Sequence, residues 1–227
     1  MKKYGLLLLW HLPIALFAQS PTLRETTMLK ELNLVRSNPA AYAVYVEAYL
    51  AKQLKGAEEQ RGYTVNRHTV IRNGKKTVTT DTTYTGGGYD PTHINQAEVS
   101  AARELLAELR TTKPMQSLAL LPCLYECARE QGLYCRSLQK MTHDNPKGKL
   151  STRILNRCTT LRGCAENWCA GAPSIRQSMI VLLVDGSIPS RSHRRNILNA
   201  TYRYAAVYDI GAVGVYRSNC WVQEFGL

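Results

Sequence analysis

The spacing of apolar residues predicts helices along most of the chain before the last quarter. The segment 94–110 shows the clearest apolar stripe, typical of an amphipathic helix with one face on a core. Pro39 interrupts the first helical segment, because proline lacks the backbone N–H that a helix interior needs. The predicted helical segments are 22–54 with a break at Pro39, 94–110, Pro122 to about Met141, and Ser174 to about Asp185.

Strand signals concentrate at the end of the chain, where apolar and polar residues alternate. The predicted strands there cover 205–208, 211–216 and 220–225, with a turn at Ser218-Asn219. A separate short strand is predicted from Cys164 to Trp168. Helices first and antiparallel strands last are typical of a layered α+β domain.

Residues 55–93 differ from the rest because they are rich in threonine and glycine and poor in large apolar groups. Two alternating runs within them flank Asn73-Gly74, a dipeptide that favours the tight turn of a β-hairpin. We interpret this segment as an inserted hairpin. Both a solvent-exposed decoration and a cover over a cleft fit the composition.

The N-terminus predicts a secretory signal peptide over residues 1–18. A positive start and a short apolar run lead to the small Ala18, where we expect cleavage. A membrane anchor is less favoured, because a spanning helix needs roughly 20 apolar residues and Pro13 weakens this run. We therefore expect a secreted or periplasmic protein, with no transmembrane segment in the mature chain and one domain over 19–227.

The net charge of the chain indicates which classes of binding partner are favoured. The chain has 29 Lys and Arg against 17 Asp and Glu, which gives a formal net charge of +12. A basic exported protein is attracted to anionic surfaces such as wall polymers or lipid headgroups. Nucleic acid is disfavoured, because no recognisable binding motif accompanies the charge. A basic surface without any partner explains the composition equally well.

Seven cysteines follow the predicted signal: Cys123, Cys127, Cys135, Cys158, Cys164, Cys169 and Cys220. An oxidising compartment allows disulfides, but an odd count leaves at least one thiol unpaired or paired to another molecule. The first three share one face of a predicted helix, which favours buried packing or long-range bridges over pairing among themselves. A bridge between Cys164 and Cys169 would brace the segment that carries Glu166. The spacings do not fit a zinc ribbon.

Three short segments carry the candidate chemistry: His143-Asp144-Asn145-Pro146, Cys164-Ala165-Glu166-Asn167-Trp168, and Ser190 to Leu198. Histidine and carboxylate can share a proton or a divalent cation, and asparagine can fix loop backbone. The candidate groups are His143, Glu166 and His193, which only folding can bring together.

Structural roles compete with each of these candidates. His143 also fits a helix C-terminal cap, because the helix dipole favours a cation there. Glu166 also fits an ion pair with an arginine such as Arg162, and His193 fits a solvated basic face with Arg194 and Arg195. Asn167 and Asn196 are interpreted as structural, bonding loop backbone.

The order of these segments resembles the CAP superfamily, which joins cysteine-rich secretory proteins, antigen 5 and plant pathogenesis-related proteins. The S-x-x-H-R-x-N-I-L segment at Ser190 is similar to the bacterial SCP-like extracellular branch. Further matching motifs are L-x-x-L-N-x-x-R-x-N-P-x-x-Y near the start, I-G-A-V-G at 210–214 and W-V-Q-E-F-G at 221–226. The resemblance covers 24–50 and 97–226. It implies an α+β fold, a three-layer α-β-α sandwich with an antiparallel sheet.

The resemblance also implies one cleft lined by His143, Glu166 and His193. The second acid of the family is matched only loosely, by Asp185, and Ala165 stands where a glycine is expected. Two neutral imidazoles supply half of a tetrahedral zinc shell, so His143 and His193 are the candidate ligands of zinc or another divalent cation. The expected supporting residues are Asn167, Ser190, Arg194 and Asn196.

The function implied by the resemblance is binding of a divalent cation and an extracellular ligand: a lipid, a peptide or a wall component. One alternative is a metal-assisted hydrolase, with Glu166 as base and His143, His193 and Asp185 taking part. Another is a non-catalytic module that acts through its basic surface or its inserted hairpin. A serine nucleophile at Ser190 or Ser192 is disfavoured, because neither residue has a nucleophile-elbow signature.

Overall fold

A computed structural model describes residues 20–58, 63–72, 75–84 and 96–227. The helices of this part are α1 (Leu23–Ser37), α2 (Pro39–Glu58), α3 (Gln96–Thr111), α4 (Pro122–Leu138), α5 (Leu150–Arg157), α6 (Ile175–Val184) and α7 (Ser192–Ile197). The strands are β1 (Tyr63–Arg72), β2 (Lys75–Tyr84), β3 (Ala119–Leu120), β4 (Cys164–Cys169), β5 (Tyr204–Val213) and β6 (Tyr216–Gly226). The predicted helices and the β4 strand are confirmed, whereas α5, α7 and β3 were not predicted.

The main sheet has the strand order β3-β5-β6-β4. The three longer strands pair antiparallel, β5 with β6 and β6 with β4, as the sequence predicts. The short β3 adds a parallel pairing to β5 at one edge. This order makes β4 the opposite edge strand, so the candidate Glu166 lies at the border of the sheet.

Alternating side chains of the sheet divide the interior into two cores, one on each face. One core contains Ala205, Val207, Trp221 and Phe225 together with apolar residues of α1, α2, α3 and α6. The other contains Ala206, Tyr208 and Val222 together with residues of α4 and α5. Helices thus cover both faces of one sheet, and the predicted three-layer α-β-α sandwich is confirmed.

The polar residues of the first helix position the later elements. Asn33 of α1 exchanges two hydrogen bonds with the backbone of Leu118, at 3.0 and 2.8 Å. Arg36 is fully buried and donates to the carbonyl oxygens of Ile197 and Asn199, at 2.8 and 2.9 Å. The N-x-x-R part of the motif therefore fixes the end of α7, the helix that carries His193.

The turn predicted at Ser218-Asn219, between the last strands, is wrong. The structure has two long strands joined at residues 214–215, and Asn219 lies within β6. Asn219 has a φ of +53°, which asparagine tolerates, and its side chain donates to the carbonyl oxygen of Ala172 at 2.7 Å. The pairing of β5 with β6 shifts at Gly211, opposite Cys220. The Ser218-Asn219 signal therefore marks an irregularity in a strand instead of a turn.

The predicted hairpin in the inserted segment is confirmed. Strands β1 and β2 pair antiparallel from Tyr63↔Tyr84 to Arg72↔Lys75, so two residues connect them. The Asn73-Gly74 turn itself lies outside the described residues. The two strands are longer than the sequence runs that predict them.

The N-terminal prediction cannot be compared with the fold. Residues 1–19, which contain the predicted signal peptide, lie outside the described residues, so export and the single-domain boundaries stay predictions. Across the described ranges, no helix combines the length and apolar character needed to cross a membrane.

One disulfide joins Cys123 at the start of α4 to Cys158 at the end of α5. Cys127 and Cys135 are buried free thiols, so the cysteines of α4 do not pair with each other, as predicted. The expected bridge between Cys164 and Cys169 is wrong, because both thiols are free. Residues five apart on a strand point to opposite faces, and these two cysteines pack in different cores.

Candidate functional site

The Glu166 carboxylate on β4 is buried and has a charged or polar partner on each oxygen. Its Oε1 lies 2.6 Å from Nδ1 of His143, and its Oε2 accepts from Nη2 of Arg153 at 3.2 Å. The side chains of Glu166 and Arg153 are 1% and 4% exposed. The expected partner Arg162 is wrong, because α5 packs against β4 and brings Arg153 onto the carboxylate.

His143 lies in the loop after α4, beyond the cap residue Gln139, so it is not a helix cap. Its side chain is 48% exposed, and its ring centroid is 5.8 Å from that of Trp168. The loop is held by the buried Gln131, whose amide donates to the carbonyl oxygen of Thr142 at 2.6 Å. Sequence reasoning missed Gln131, although a glutamine on the apolar face of an amphipathic helix is a detectable signal.

Asp185 and His193 form a second carboxylate–histidine pair. Asp185 ends α6 in the left-handed region, with a φ of +54°. Its Oδ2 accepts from the backbone N–H of His193 at 2.9 Å, and its Oδ1 lies 2.9 Å from the ring Nδ1. The two side chains are 2% and 13% exposed. The loose sequence match of Asp185 to the second acid thus corresponds to a direct contact with His193.

Asn167 connects β4 to the second pair. Its side-chain amide donates to the carbonyl oxygen of His193 at 3.3 Å and is fully buried. The amide of Asn196 donates to the Asn167 side-chain oxygen at 2.8 Å. Asn167 thus bonds backbone as predicted, but that of helix α7 instead of a loop, whereas Asn196 bonds a side chain.

Glu166 and Asn167 are consecutive residues of the edge strand β4, and they contact the segments of the two histidines from opposite faces of the sheet. Glu166 points toward the layer of α4 and α5, where it contacts His143. Asn167 points to the other face, where it contacts the loop and helix of His193. Alternation along a strand requires this division. The structure therefore brings Glu166 to His143 and Asp185 to His193, with β4 between the two pairs.

Arg194 and Ser190, two expected supporting residues, differ in their surroundings. The side chain of Arg194 is 1% exposed and donates to the carbonyl oxygens of Leu183, Val184 and Ala101 at 2.7 to 3.0 Å. The expectation of a solvated basic face is wrong for this residue, because α7 packs it between α6 and α3. Ser190 is exposed, and its side chain has no hydrogen bond to any residue that the structure describes.

The carboxylates decide the tautomer of both imidazoles. An ionised carboxylate can only accept, so Nδ1 of His143 and Nδ1 of His193 carry the proton, and in the neutral imidazole Nε2 then has the lone pair. Metal-binding histidines usually have this arrangement, with the second nitrogen held by a carboxylate. Within the described part of the chain, no three His, Cys, Asp or Glu side chains form a cluster that could hold a metal. The candidate donors are the Nε2 atoms of His143 and His193, which belong to two separate carboxylate–histidine pairs.

A cavity of about 330 Å³ lies beside Trp168, and neither His143 nor Glu166 lines it. Its wall includes Trp168, the residue whose ring lies against His143. The indole Nε1 of Trp168 is buried and has no hydrogen-bond partner among the described residues. The other lining residues are Gln139, Lys140, Met141, Val213, Gly214, Val215 and Tyr216.

Glu224 is the group that sequence reasoning missed most clearly. It is fully buried on β6, directly across from Glu166 on β4. Burial, and next the charge of Glu166, raise the pKa of Glu224 well above its usual range. The detectable signal is a glutamate at an inward position of the W-V-Q-E-F-G strand, where an apolar residue is expected.

Two solved structures are similar to this chain over about two thirds of its length. An outer surface protein of Borrelia burgdorferi has a TM-score of 0.42 and 17% identity, covering 63% of this chain and 98% of its own. An extracellular protein of Bacillus anthracis containing an SCP domain has a TM-score of 0.36 and 20% identity, covering 64% of this chain and 46% of its own. No protein with a curated description matches the sequence.

A family model supplies the decisive comparison, because both TM-scores are low. The model of the cysteine-rich secretory protein family, CAP, matches residues 103–225. The match covers more than half of the 227-residue chain and includes both carboxylate–histidine pairs. It also spans the four strands of the main sheet, except for the last residue of β6, and the helices α4 to α7. The chain therefore belongs to the CAP, or cysteine-rich secretory protein, family.

Proposed function

We propose that this protein is exported and binds a divalent cation through His143 and His193 at the edge of β4. The observation that carries the proposal is the state of the two imidazoles. In each ring a buried carboxylate holds Nδ1, and Nε2 has no hydrogen-bond partner among the described residues. The cation would complete its coordination with water or with a bound molecule.

We further propose that the bound molecule is an extracellular lipid, peptide or wall component. The cavity beside Trp168 supports this part, because Trp168 lies in its wall and its ring is also a neighbour of the His143 ring. The formal charge of +12 favours a ligand that also carries negative charge. Nucleic acid stays disfavoured, because no recognisable binding motif accompanies the charge.

The surroundings of Glu166 support binding over hydrolysis. A general base must come within hydrogen-bonding reach of the water that it activates. Both oxygens of Glu166 already have partners, His143 and Arg153, and its side chain is 1% exposed. In this arrangement Glu166 orients a histidine and balances a buried arginine.

Calorimetry with zinc chloride tests the cation site. We expect one zinc per chain for the wild type, and binding at least about 10-fold weaker for His143→Ala and for His193→Ala, because each loses one ligand. The double variant should bind no zinc. The matched control is His68→Ala, which removes a histidine of the β1–β2 hairpin and should leave zinc binding unchanged. No heat from the wild type, or equal heat from the wild type and the double variant, contradicts the proposal.

Export is tested separately, by expressing the full chain in a bacterial host and measuring the mass of the mature protein. We expect loss of residues 1–18, with the protein outside the cytoplasm and Gln19 as its first residue. An intact N-terminus on a cytoplasmic protein contradicts export without affecting the zinc result.

A further inference from the structure

Glu224 and Glu166 form a buried pair of carboxyl groups. They are cross-strand neighbours, and strand alternation places both side chains on the face covered by α4 and α5. Glu224 is 0% exposed, and neither of its oxygens accepts a hydrogen bond from any residue that the structure describes. A buried carboxylate without a donor is costly, so its protonation state needs an explanation.

When His143 is neutral, the charges around the pair balance only if one carboxyl is neutral as well. The groups that face Glu224 are Glu166 on β4, Arg153 on α5 and the thiol of Cys127 on α4. From β5 it meets the apolar Ala206. Among the described residues that face Glu224, Arg153 is therefore the one buried cation, and it faces two carboxyl groups. Arg153 bonds Glu166 directly, which assigns the negative charge to Glu166.

We propose that Glu224 is a neutral carboxylic acid that donates a hydrogen bond to the Glu166 carboxylate and so holds it toward Arg153 and His143. The proton explains why no donor reaches Glu224, because a protonated acid supplies the hydrogen bond itself. The raised pKa of Glu224 agrees with this geometry. Glu224 is then a positioning residue for the first carboxylate–histidine pair.

The role toward His143 rests on the proposed cation site, whereas the protonation of Glu224 does not. Infrared difference spectroscopy of metal-free protein at neutral pH tests the protonation directly. We expect the wild type to show the C=O band of a neutral carboxyl group, and Glu224→Gln to lack it. The control Glu130→Gln removes a carboxylate that is paired with Lys147 and Arg157, and should leave the band unchanged. A wild type without this band overturns the proposal.

Paired variants then identify which residue carries the proton. Glu224→Gln keeps a neutral side chain with an N–H donor and needs no bound proton, so at neutral pH it should unfold at the wild-type urea concentration or above it. Glu166→Gln removes the charge that Arg153 needs and should be clearly less stable. The reverse order of stabilities would place the proton on Glu166 and overturn the assignment.

Zinc affinity tests the positioning role. Glu224→Leu removes the hydrogen bond to Glu166 and should bind zinc about 10-fold more weakly, because outer partners of metal ligands have effects of this size. Glu224→Gln should restore the wild-type affinity. Equal affinity in all three proteins contradicts the positioning role. If no variant binds zinc, the cation site is wrong, and the infrared result still decides the state of Glu224.

Discussion

Asp185 holds His193 at two points, the backbone N–H and the ring Nδ1, each at 2.9 Å. The same aspartate ends α6, so one residue both stops a helix and orients the histidine of the next. The double contact fixes the direction of the imidazole, because the backbone bond restrains the position of the carboxylate. Nε2 of His193 is thereby left free for a cation.

Asp185→Asn is expected to abolish the second cation ligand while the fold stays intact. Asparagine tolerates the left-handed conformation at φ +54° and can still accept from the backbone N–H of His193. Its NH₂ group then faces Nδ1, which must accept, so the proton moves to Nε2. We expect zinc affinity to fall about 10- to 100-fold in calorimetry.

The fold of Asp185→Asn is checked by its far-ultraviolet circular dichroism and its urea midpoint. Arg195→Ala serves as a control, because Arg195 lies on the same short helix but is exposed. Unchanged zinc affinity in a folded Asp185→Asn protein would show that Nε2 of His193 is not a ligand.

Arg194 and Arg195 are adjacent in the sequence, but their replacement by alanine should change the free energy of unfolding by very different amounts. Arg194→Ala leaves the carbonyl oxygens of Leu183, Val184 and Ala101 without their donors in a buried position. We expect a loss of about 3–5 kcal/mol in the free energy of unfolding for Arg194→Ala. Arg195→Ala should change it by less than about 0.5 kcal/mol. Urea unfolding of both variants measures the difference, and similar losses would contradict the burial of Arg194.

Glu224 should make stability decrease as the pH rises. Its pKa is raised in the folded state, chiefly by burial, so above the unfolded pKa of about 4.3 the folded protein binds more protons than the unfolded protein. The contribution of Glu224 to the free energy of unfolding is fully present below that pH. It is lost as the pH rises toward the folded pKa of Glu224, at a slope of up to about 1.4 kcal/mol per pH unit.

The measurement is urea unfolding of the wild type and of Glu224→Gln between about pH 4 and about pH 8. The difference between the two free-energy curves isolates Glu224 from the other carboxylates, which contribute equally to both. A flat difference across this range would show that Glu224 titrates normally.

The Cys123–Cys158 disulfide should contribute substantially to stability. It closes a loop with a sequence separation of 35, for which the loss of unfolded-state entropy corresponds to about 4 kcal/mol. The double variant Cys123→Ser/Cys158→Ser should therefore melt at a lower temperature. Reductant should lower the melting temperature of the wild type but not that of the double variant. A reductant effect on both proteins would point to a bridge elsewhere in the chain.

Local patterns predicted the elements well. The break at Pro39, the helix after Ser174 and the hairpin around Asn73-Gly74 all depend on residues close in sequence, and each is found where the pattern indicates. The turn at Ser218-Asn219 is the instructive error. A left-handed asparagine favours a turn, but the pairing of β6 with β5 continues through Asn219 and absorbs it as an irregularity.

The sequence by itself determined the longer helices, the strand-forming regions and the candidate histidines, because apolar periodicity and motifs are properties of neighbouring residues. Only the tertiary structure decided which side chains are partners. Glu166 contacts Arg153 instead of Arg162, His193 contacts Asp185, and Glu224 lies across from Glu166. Strand pairing and helix packing bring these groups together across 8 to 58 positions of the chain. No local pattern encodes which buried charges meet, because that depends on how the layers stack.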